Sequence, residues 1–485
     1  MKGVAQIFAK EMKVFSRNSH SLLLSVIVLL FLFISLFLSI KEYEVIYNDK
    51  QDAHIKARHQ WINQGEKNPH AAGHSGTVLF KPVFPLYIFD NGLSAYLGEW
   101  VQLETHTQHE VEKRSINEST FPARSGIFNP GFILQYLFPL FIIFLSYGAV
   151  SNEREQGTWR LLKSQYVSNY AIVMGKYLAV VVQMLLVILP VWVITGLIVS
   201  QMPGFKSSFI YDLAILFVAY FVVYLTLIAL SISVSSLSKT SAYALGSLIG
   251  FILFTAFALP RISVAFSELI YPTPSNYEML INFDKAQNNR YVLGYKGFDH
   301  FTTVYQTIQK KLMDEQNIKN PDSLTLNPFG FAIEATEEEA QKIYDKTYGE
   351  ITEAFRKQEQ AQKWIGIASP FSSLRFFSMA LCKTGHAEYK SFVSQAENYR
   401  RDMMRTLNMD IAYHSLDNGY DIKSRTKRGN DYKQGKTLWE RIPEFSYHPL
   451  PLKTVVKESA GDIMVLLLWL LSSLTFMFIT TNKML

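Results

Sequence analysis

The sequence predicts a polytopic α-helical membrane protein, with six transmembrane helices, both termini cytoplasmic, and a mainly helical extracytoplasmic domain. Three observations lead there. Apolar residues gather into six long runs, and none of these contains Asp, Glu, Lys or Arg; a bilayer core about 30 Å thick needs roughly 20 such helical residues per crossing. Basic residues cluster beside one set of loops. Two long polar inserts, 41–131 and 261–462, make up more than half of the 485 residues, enough to bury a core of their own.

Residues 1–20 come first. Val4, Ile7, Phe8, Met12 and Phe15 share one helical face and Lys10, Lys13 and Arg17 lie off it, the pattern of an amphipathic helix lying in the cytoplasmic interface. The first span, 21–40, is too long for a signal peptide, and Lys41-Glu42-Tyr43-Glu44 follows it in place of a small-residue cleavage site, so it stays as an anchor. The remaining spans are 132–150, 177–200, 213–233, 241–260 and 463–480.

Orientation follows from the basic residues flanking short loops. Lys2, Lys10, Lys13 and Arg17 precede span one; Arg154, Arg160, Lys163 and Lys176 lie in the 151–176 connection; Lys239 follows span four, and Lys483 sits in the 481–485 tail. The short loop between spans three and four has only Lys206. These counts put both termini and 151–176 in the cytoplasm and both inserts outside, as one composite domain.

A net charge of +6 with mixed signs gives no nucleic-acid footprint. A single cysteine, Cys382, excludes an intrachain disulfide and a Cys-based metal cluster.

The second insert reads as helices. Ile343, Tyr344, Tyr348, Ile351 and Phe355 lie near helical spacing within 335–364, and Thr336 before Glu337, Glu338 and Glu339 suits a helix N-terminus. Phe371, Leu374, Phe377 and Leu381 form a second stripe after Ser369-Pro370, and a third helix covers about 388–411. The first insert is less regular and holds six histidines: His54, His59, His70, His74, His106 and His109. His70 and His74 could bind one metal from adjacent helical turns, but Pro69 and Gly73 point to a turn and no carboxylate lies within the motif, so hydrogen-bonded structural histidines are the alternative.

Catalytic signals are weak. His109-Glu110 lacks the second histidine of a zinc peptidase. Between Gly429 and Gly435 stand five residues where a P-loop has four; the segment reads as a basic surface loop with Lys423, Arg425, Lys427 and Arg428, able to meet an anionic partner. Ion-coupled carriers place ionisable groups or broken helices at mid-membrane. Here Gln135 and Gln183 are the most polar span residues and Pro190 the one obvious kink, so energy is expected from another polypeptide.

The 151–176 connection carries the specific signal. It reads Ser151-Asn152-Glu153-Arg154-Glu155-Gln156-Gly157-Thr158-Trp159-Arg160-Leu161-Leu162, then Gly175-Lys176 at the next span. This resembles the coupling segment of ABC-2-type exporter permeases, where Glu-x-x-Gly-Thr leads to Leu-Leu and then Gly-Lys; here the glutamate is displaced to Glu155, with Glu153 as a second acid. The amphipathic first helix is similar as well. Asn68-Pro69-His70…His74, Ser369-Pro370, Thr384-Gly385 and Tyr399-Arg400 resemble a branch of these permeases with large periplasmic inserts.

The resemblance implies a permease subunit, working as an exporter in the bacterial inner membrane, as a homo- or heterodimer on separate cytoplasmic ABC ATPase subunits that bind ATP and magnesium. This chain would hold no cofactor and no catalytic site. Membrane lipids, and periplasmic proteins at the inserts, are further expected partners. Glu153, Glu155, Gly157, Thr158, Leu161 and Leu162 would sit in a groove of the ATPase and pass its closure to spans one, two and five. Glu153 and Glu155 are expected at the leading end of the docking helix, and Trp159, Leu161 and Leu162 as its exposed apolar face. Two rival readings are ATP-driven mechanotransmission to periplasmic partners without translocation, and a membrane-anchored, histidine-rich metal-binding protein using His70 and His74.

Overall fold

A computed structural model describes residues 2–108, 128–273, 296–415 and 432–483, with positions 275, 277, 278 and 281. Among the described residues, six helices are long and apolar enough to cross a membrane: Ser19–Ile62, Pro130–Glu155, Asn169–Gln201, Ser208–Leu237, Ser241–Ile270 and Ala460–Asn482. Each contains one of the six apolar runs. Side-chain caps start several of them: Asn18 Oδ1 accepts from the His20 and Ser21 amides at 3.0 and 3.3 Å, and Ser168 Oγ from that of Ala171 at 3.2 Å.

Two of the crossing helices widen into π-turns, at Ile133–Leu137 and Leu253–Ala258. Each lies just ahead of a proline, Pro139 and Pro260. A proline gives no amide to the carbonyl four residues back and its ring crowds that carbonyl; a widened turn absorbs both effects. Pro190, by contrast, lies inside the Asn169–Gln201 helix, so the residue that reads as the kink is not where the helices widen.

Serines tie the second crossing to the fourth. Ser146 Oγ donates to Ser231 Oγ at 2.8 Å, and Ser235 Oγ accepts from the amides of Val150 and Ser151 at 3.0 and 3.1 Å. Short side chains that bond across the interface let two helices approach closely where water is absent.

Both termini lie at one end of the bundle. There the helix Lys2–Arg17 packs along the start of the third crossing, and Asn169 Nδ2 donates to the carbonyl of Thr481 at 3.2 Å. Ile7 is buried at Gly175, where a β-carbon would stand 2.7 Å from the Ile7 side chain; only glycine admits this contact.

At the other end the two inserts pack into one body. The first crossing helix runs on to Ile62, where Trp61 meets Trp439 edge-on at 5.7 Å and donates to its carbonyl at 3.1 Å. Strands β1 (Thr77–Phe80) and β2 (Trp100–Leu103) pair antiparallel, Thr77 opposite Leu103, and cover Phe392 and Ala396. The second insert supplies Lys296–Glu315, Pro328–Gly366, Pro370–Leu381 and His386–His414. The sequence stripes find these last three helices, but Pro328–Gly366 starts at the Asn327 cap. Glu337 is therefore an interior residue of that helix and not an N-terminal acid. Likewise Pro69–Ser75 is a helix, capped by Asn68 with Pro69 in its first turn, where Pro69 and Gly73 suggest a turn: proline suits a first turn because its missing amide would be unpaired there anyway.

Part of the inserts belongs to the bundle itself. Phe371, Leu374, Phe377 and Leu381 join the apolar core of the crossing helices, as do Leu86, Ile88 and Phe89. Ser369 Oγ donates to the Thr255 carbonyl at 2.8 Å. Gln135 Nε2 donates to Tyr220 at 2.9 Å and to Asp90 Oδ2 at 3.2 Å, and Asp90 also accepts from Ser378. His109, the 423–428 basic cluster and Gly429–Asp431 lie outside the described residues; Gln434 bridges to Lys67, and a short helix begins at Lys436.

Candidate functional site

At the termini end, 151–165 forms two short helices, Ser151–Glu155 and Thr158–Ser164, around Gly157. Gly157 has φ +75°, with open space where a β-carbon would stand. The glycine is there for its left-handed backbone and not for close packing.

The segment is bolted to its surroundings. Glu153 is only 9% exposed; it accepts from Lys10 Nζ at 2.8 Å, Lys176 Nζ at 3.0 Å and the Thr158 hydroxyl. Lys176 also reaches Glu11 at 2.8 Å. One carboxylate thus joins the first helix, the segment and the third crossing. Arg154 lies over the Trp159 ring, 5.7 Å from its centroid, and donates to the Ser236 carbonyl at 2.7 Å. Glu155 accepts from Ser241 Oγ at 2.5 Å, at the start of the fifth crossing.

This corrects part of the sequence expectation. Glu153 and Glu155 precede Gly157, so they are not the leading residues of the Leu-Leu helix, and Glu153 is an internal tie. Trp159 is buried and Leu162 packs on the bundle core. Leu161 is 60% exposed and Tyr166, with φ +54°, is 98% exposed. The free apolar surface is therefore Leu161 with Tyr166, a residue the sequence does not single out.

The histidines converge in the insert body. His70 and His74, on the Pro69–Ser75 helix, meet His106 with ring centroids 4.7–5.3 Å apart. One ring nitrogen from each lies within 4.8 Å of the others. His106 has φ +65°; its amide donates to Glu337 Oε2 at 3.0 Å, and its Nδ1 lies 2.9 Å from that oxygen. His70 Nδ1 lies 3.3 Å from Asn408 Oδ1, and Asn408 Nδ2 donates to Glu334 at 3.0 Å. Arg400 backs the group. It donates to Glu337 Oε1 at 2.7 Å, to both Glu397 oxygens at 2.9 Å and to the Glu104 carbonyl at 3.1 Å.

Electrostatics follow from these contacts. Burial raises the Glu337 carboxyl, but the His106 hydrogen bond and the Arg400 charge outweigh it and hold it at about 2. Burial, with the neighbouring His106 and His74, lowers His70 to about 3, so its imidazole is neutral at ordinary pH. Sequence reasoning pairs His70 with His74 but misses His106, Glu337 and Arg400. Glu337 does fall on the helical stripe of Ile333 and Tyr344, and Arg400 on that of Ala396, Met403 and Leu407; a charge on a core stripe is the available signal.

The sequence matches the family described as ABC-2 family transporter protein over residues 5–367. It also matches a domain of unknown function (DUF3526) over residues 299–448. No curated protein matches the chain.

Proposed function

This chain belongs to the ABC-2 transporter family, a family of multi-pass membrane permease subunits, and from that premise we propose that it is the permease of a bacterial inner-membrane exporter driven by a separate cytoplasmic ABC ATPase. The ATPase supplies the ATP and magnesium site, and a second permease completes the complex. The membrane orientation is the one the basic residues give, with the inserts in the periplasm.

The observation that carries this reading is the 151–165 segment: rigidly tied to four neighbours, yet presenting Leu161 to solvent beside the exposed Tyr166 that follows it. A docking element needs both properties. A flexible loop would absorb the ATPase stroke, whereas this one passes force through Glu153 to Lys176 and the first helix, and through Ser235 to the fourth crossing. A photoreactive residue at position 161 should crosslink to an ABC ATPase in native membranes, and one at Tyr96, exposed on the insert body, should not. Crosslinking of the ATPase from Tyr96 alone would overturn both the docking site and the orientation.

A second reading, mechanotransmission, draws on the helix Pro370–Leu381. Because it shares the bundle core, movement of the crossing helices would drag the insert body with it, without any substrate passing. ATP-dependent flux of a lipophilic substrate in proteoliposomes favours export; ATP-dependent change in the insert body without flux favours this alternative.

A further inference from the structure

The three histidines can be explained blandly, as aromatic rings packed edge to face. Three features go beyond packing. First, the nitrogens are close to a metal-ligand spacing. Imidazole nitrogens about 2.0–2.1 Å from a tetrahedral ion stand ~3.3 Å apart, and these lie within 4.8 Å before any adjustment; His74 is exposed and can rotate to close the gap. Second, the outer contacts are those of metal-bound histidines. Histidine ligands present one nitrogen to the ion and give the other N–H to a carboxylate or carbonyl oxygen, which fixes tautomer and orientation. Here Nδ1 of His106 faces Glu337 and Nδ1 of His70 faces the Asn408 oxygen, which leaves Nε2 of each as the ligand atom. Third, His106 holds a left-handed backbone that few side chains adopt, pinned by its amide to the same carboxylate. Strain held in place by a buried ion pair is spent on positioning this ring.

We propose that His70, His74 and His106 bind one divalent late first-row transition ion, zinc or copper, in the insert body, with Glu337 and Asn408 as the groups that orient two of the ligands. An all-imidazole set suits these ions and not magnesium or calcium, which take oxygen ligands. Three protein ligands with His74 and His106 exposed leave the remaining coordination position facing solvent, open to water or to an external donor. The ligands come from the first insert and their orienting partners from the second, so the ion would also fasten the two together.

The test uses the full-length chain in detergent, purified through a histidine-free tag and stripped with a chelator. After incubation with zinc or copper and gel filtration, elemental analysis should find about one equivalent per chain, with magnesium giving none. His74→Ala and His106→Ala should each weaken zinc binding by at least the roughly 10–100-fold that loss of an orienting partner costs, and His59→Ala should leave it unchanged. His74 is exposed, so its truncation spares the fold; an unchanged Tm of the stripped protein checks this. Cobalt should give a visible ligand-field spectrum that His74→Ala abolishes. Background metal in the unmodified chain, or equal occupancy in the His74 and His106 variants, would overturn the site. Neither result bears on the transporter reading.

Discussion

Glu153→Ala removes the carboxylate that ties the Lys2–Arg17 helix, the 151–165 segment and the third crossing together. Its cost follows from what each of its three partners forfeits. Stranding a buried cation costs about 3–5 kcal/mol, but Lys176 keeps Glu11 at 2.8 Å, so only a fraction of that applies. Lys10 has 44% of its side chain exposed, and an exposed pair contributes about 0–1 kcal/mol. The Thr158 hydroxyl loses its carboxylate acceptor but keeps the carbonyl of residue 153 at 3.2 Å, so it forfeits less than about 1 kcal/mol. Together these give ~2 kcal/mol, which raises the undocked population of the first helix about thirtyfold. Limited trypsin digestion in detergent reads that population directly when reclosing is faster than cleavage. Cuts after Lys10 and Lys13 should accelerate in proportion, while Glu155→Ala, whose bond to Ser241 is solvent-exposed and does not touch the first helix, should leave them unchanged. A Glu153→Ala chain as protected as the unmodified one would show that this carboxylate does not hold the helix.

Arg400→Ala removes the shared cation from the buried Glu337 and Glu397, which keep only His106 and Arg401 respectively, and should destabilise the insert body by a part of the about 3–5 kcal/mol that breaking a buried pair costs, read as a lower Tm with early proteolysis within the inserts. Burial, reinforced by the charge of Lys50, lowers Lys81 from 10.5 to about 8. Below about pH 8 the folded state therefore bears the cost of a buried cation; as pH climbs from 8 to 10.5 that cost is relieved, because the folded chain sheds a proton the unfolded chain keeps. Lys81→Met should accordingly be stabilising by up to ~3 kcal/mol near pH 7, and the gain in Tm should shrink by about pH 10; a pH-independent gain would contradict this. In a Cys382→Ser background, a cysteine at Asp322 should react with an impermeant thiol reagent in spheroplasts and one at Ser164 should not. The reverse pattern would invert the topology.

The six crossings were legible because hydrocarbon solvation demands long runs free of charge, a constraint sequence alone expresses. Three helices of the second insert were legible from stripes such as Phe371, Leu374, Phe377 and Leu381. What that stripe faces was not: apolar periodicity says that a surface is covered but not by what, and the covering here is the bundle core. The Glu-x-Gly-Thr…Gly-Lys pattern could be read as a family resemblance, yet its physical roles emerge only in three dimensions. Gly157 supplies a left-handed turn, Gly175 admits Ile7, and Lys176 shares Glu153 with Lys10, a residue 143 positions away. The same limit hid the third histidine, since His106 lies far along the chain from His70 and is joined to it by folding.

Docking of an ABC ATPase on 151–165 through Leu161 is what the proposed function rests on. Leu161→Asp tests it more cleanly than any change that includes Leu162, which packs into the bundle and whose loss would disturb the fold. Removing one exposed leucine from an interface forfeits roughly 1.5–3 kcal/mol of burial, and an aspartate buried in its place costs more. In the reconstituted complex, Leu161→Asp should abolish permease-dependent stimulation of ATP hydrolysis and reduce copurification of the ATPase, with membrane insertion and Tm unchanged. Stimulation and copurification at the level of the unmodified chain would contradict the docking assignment and remove the structural support for an ATP-driven permease.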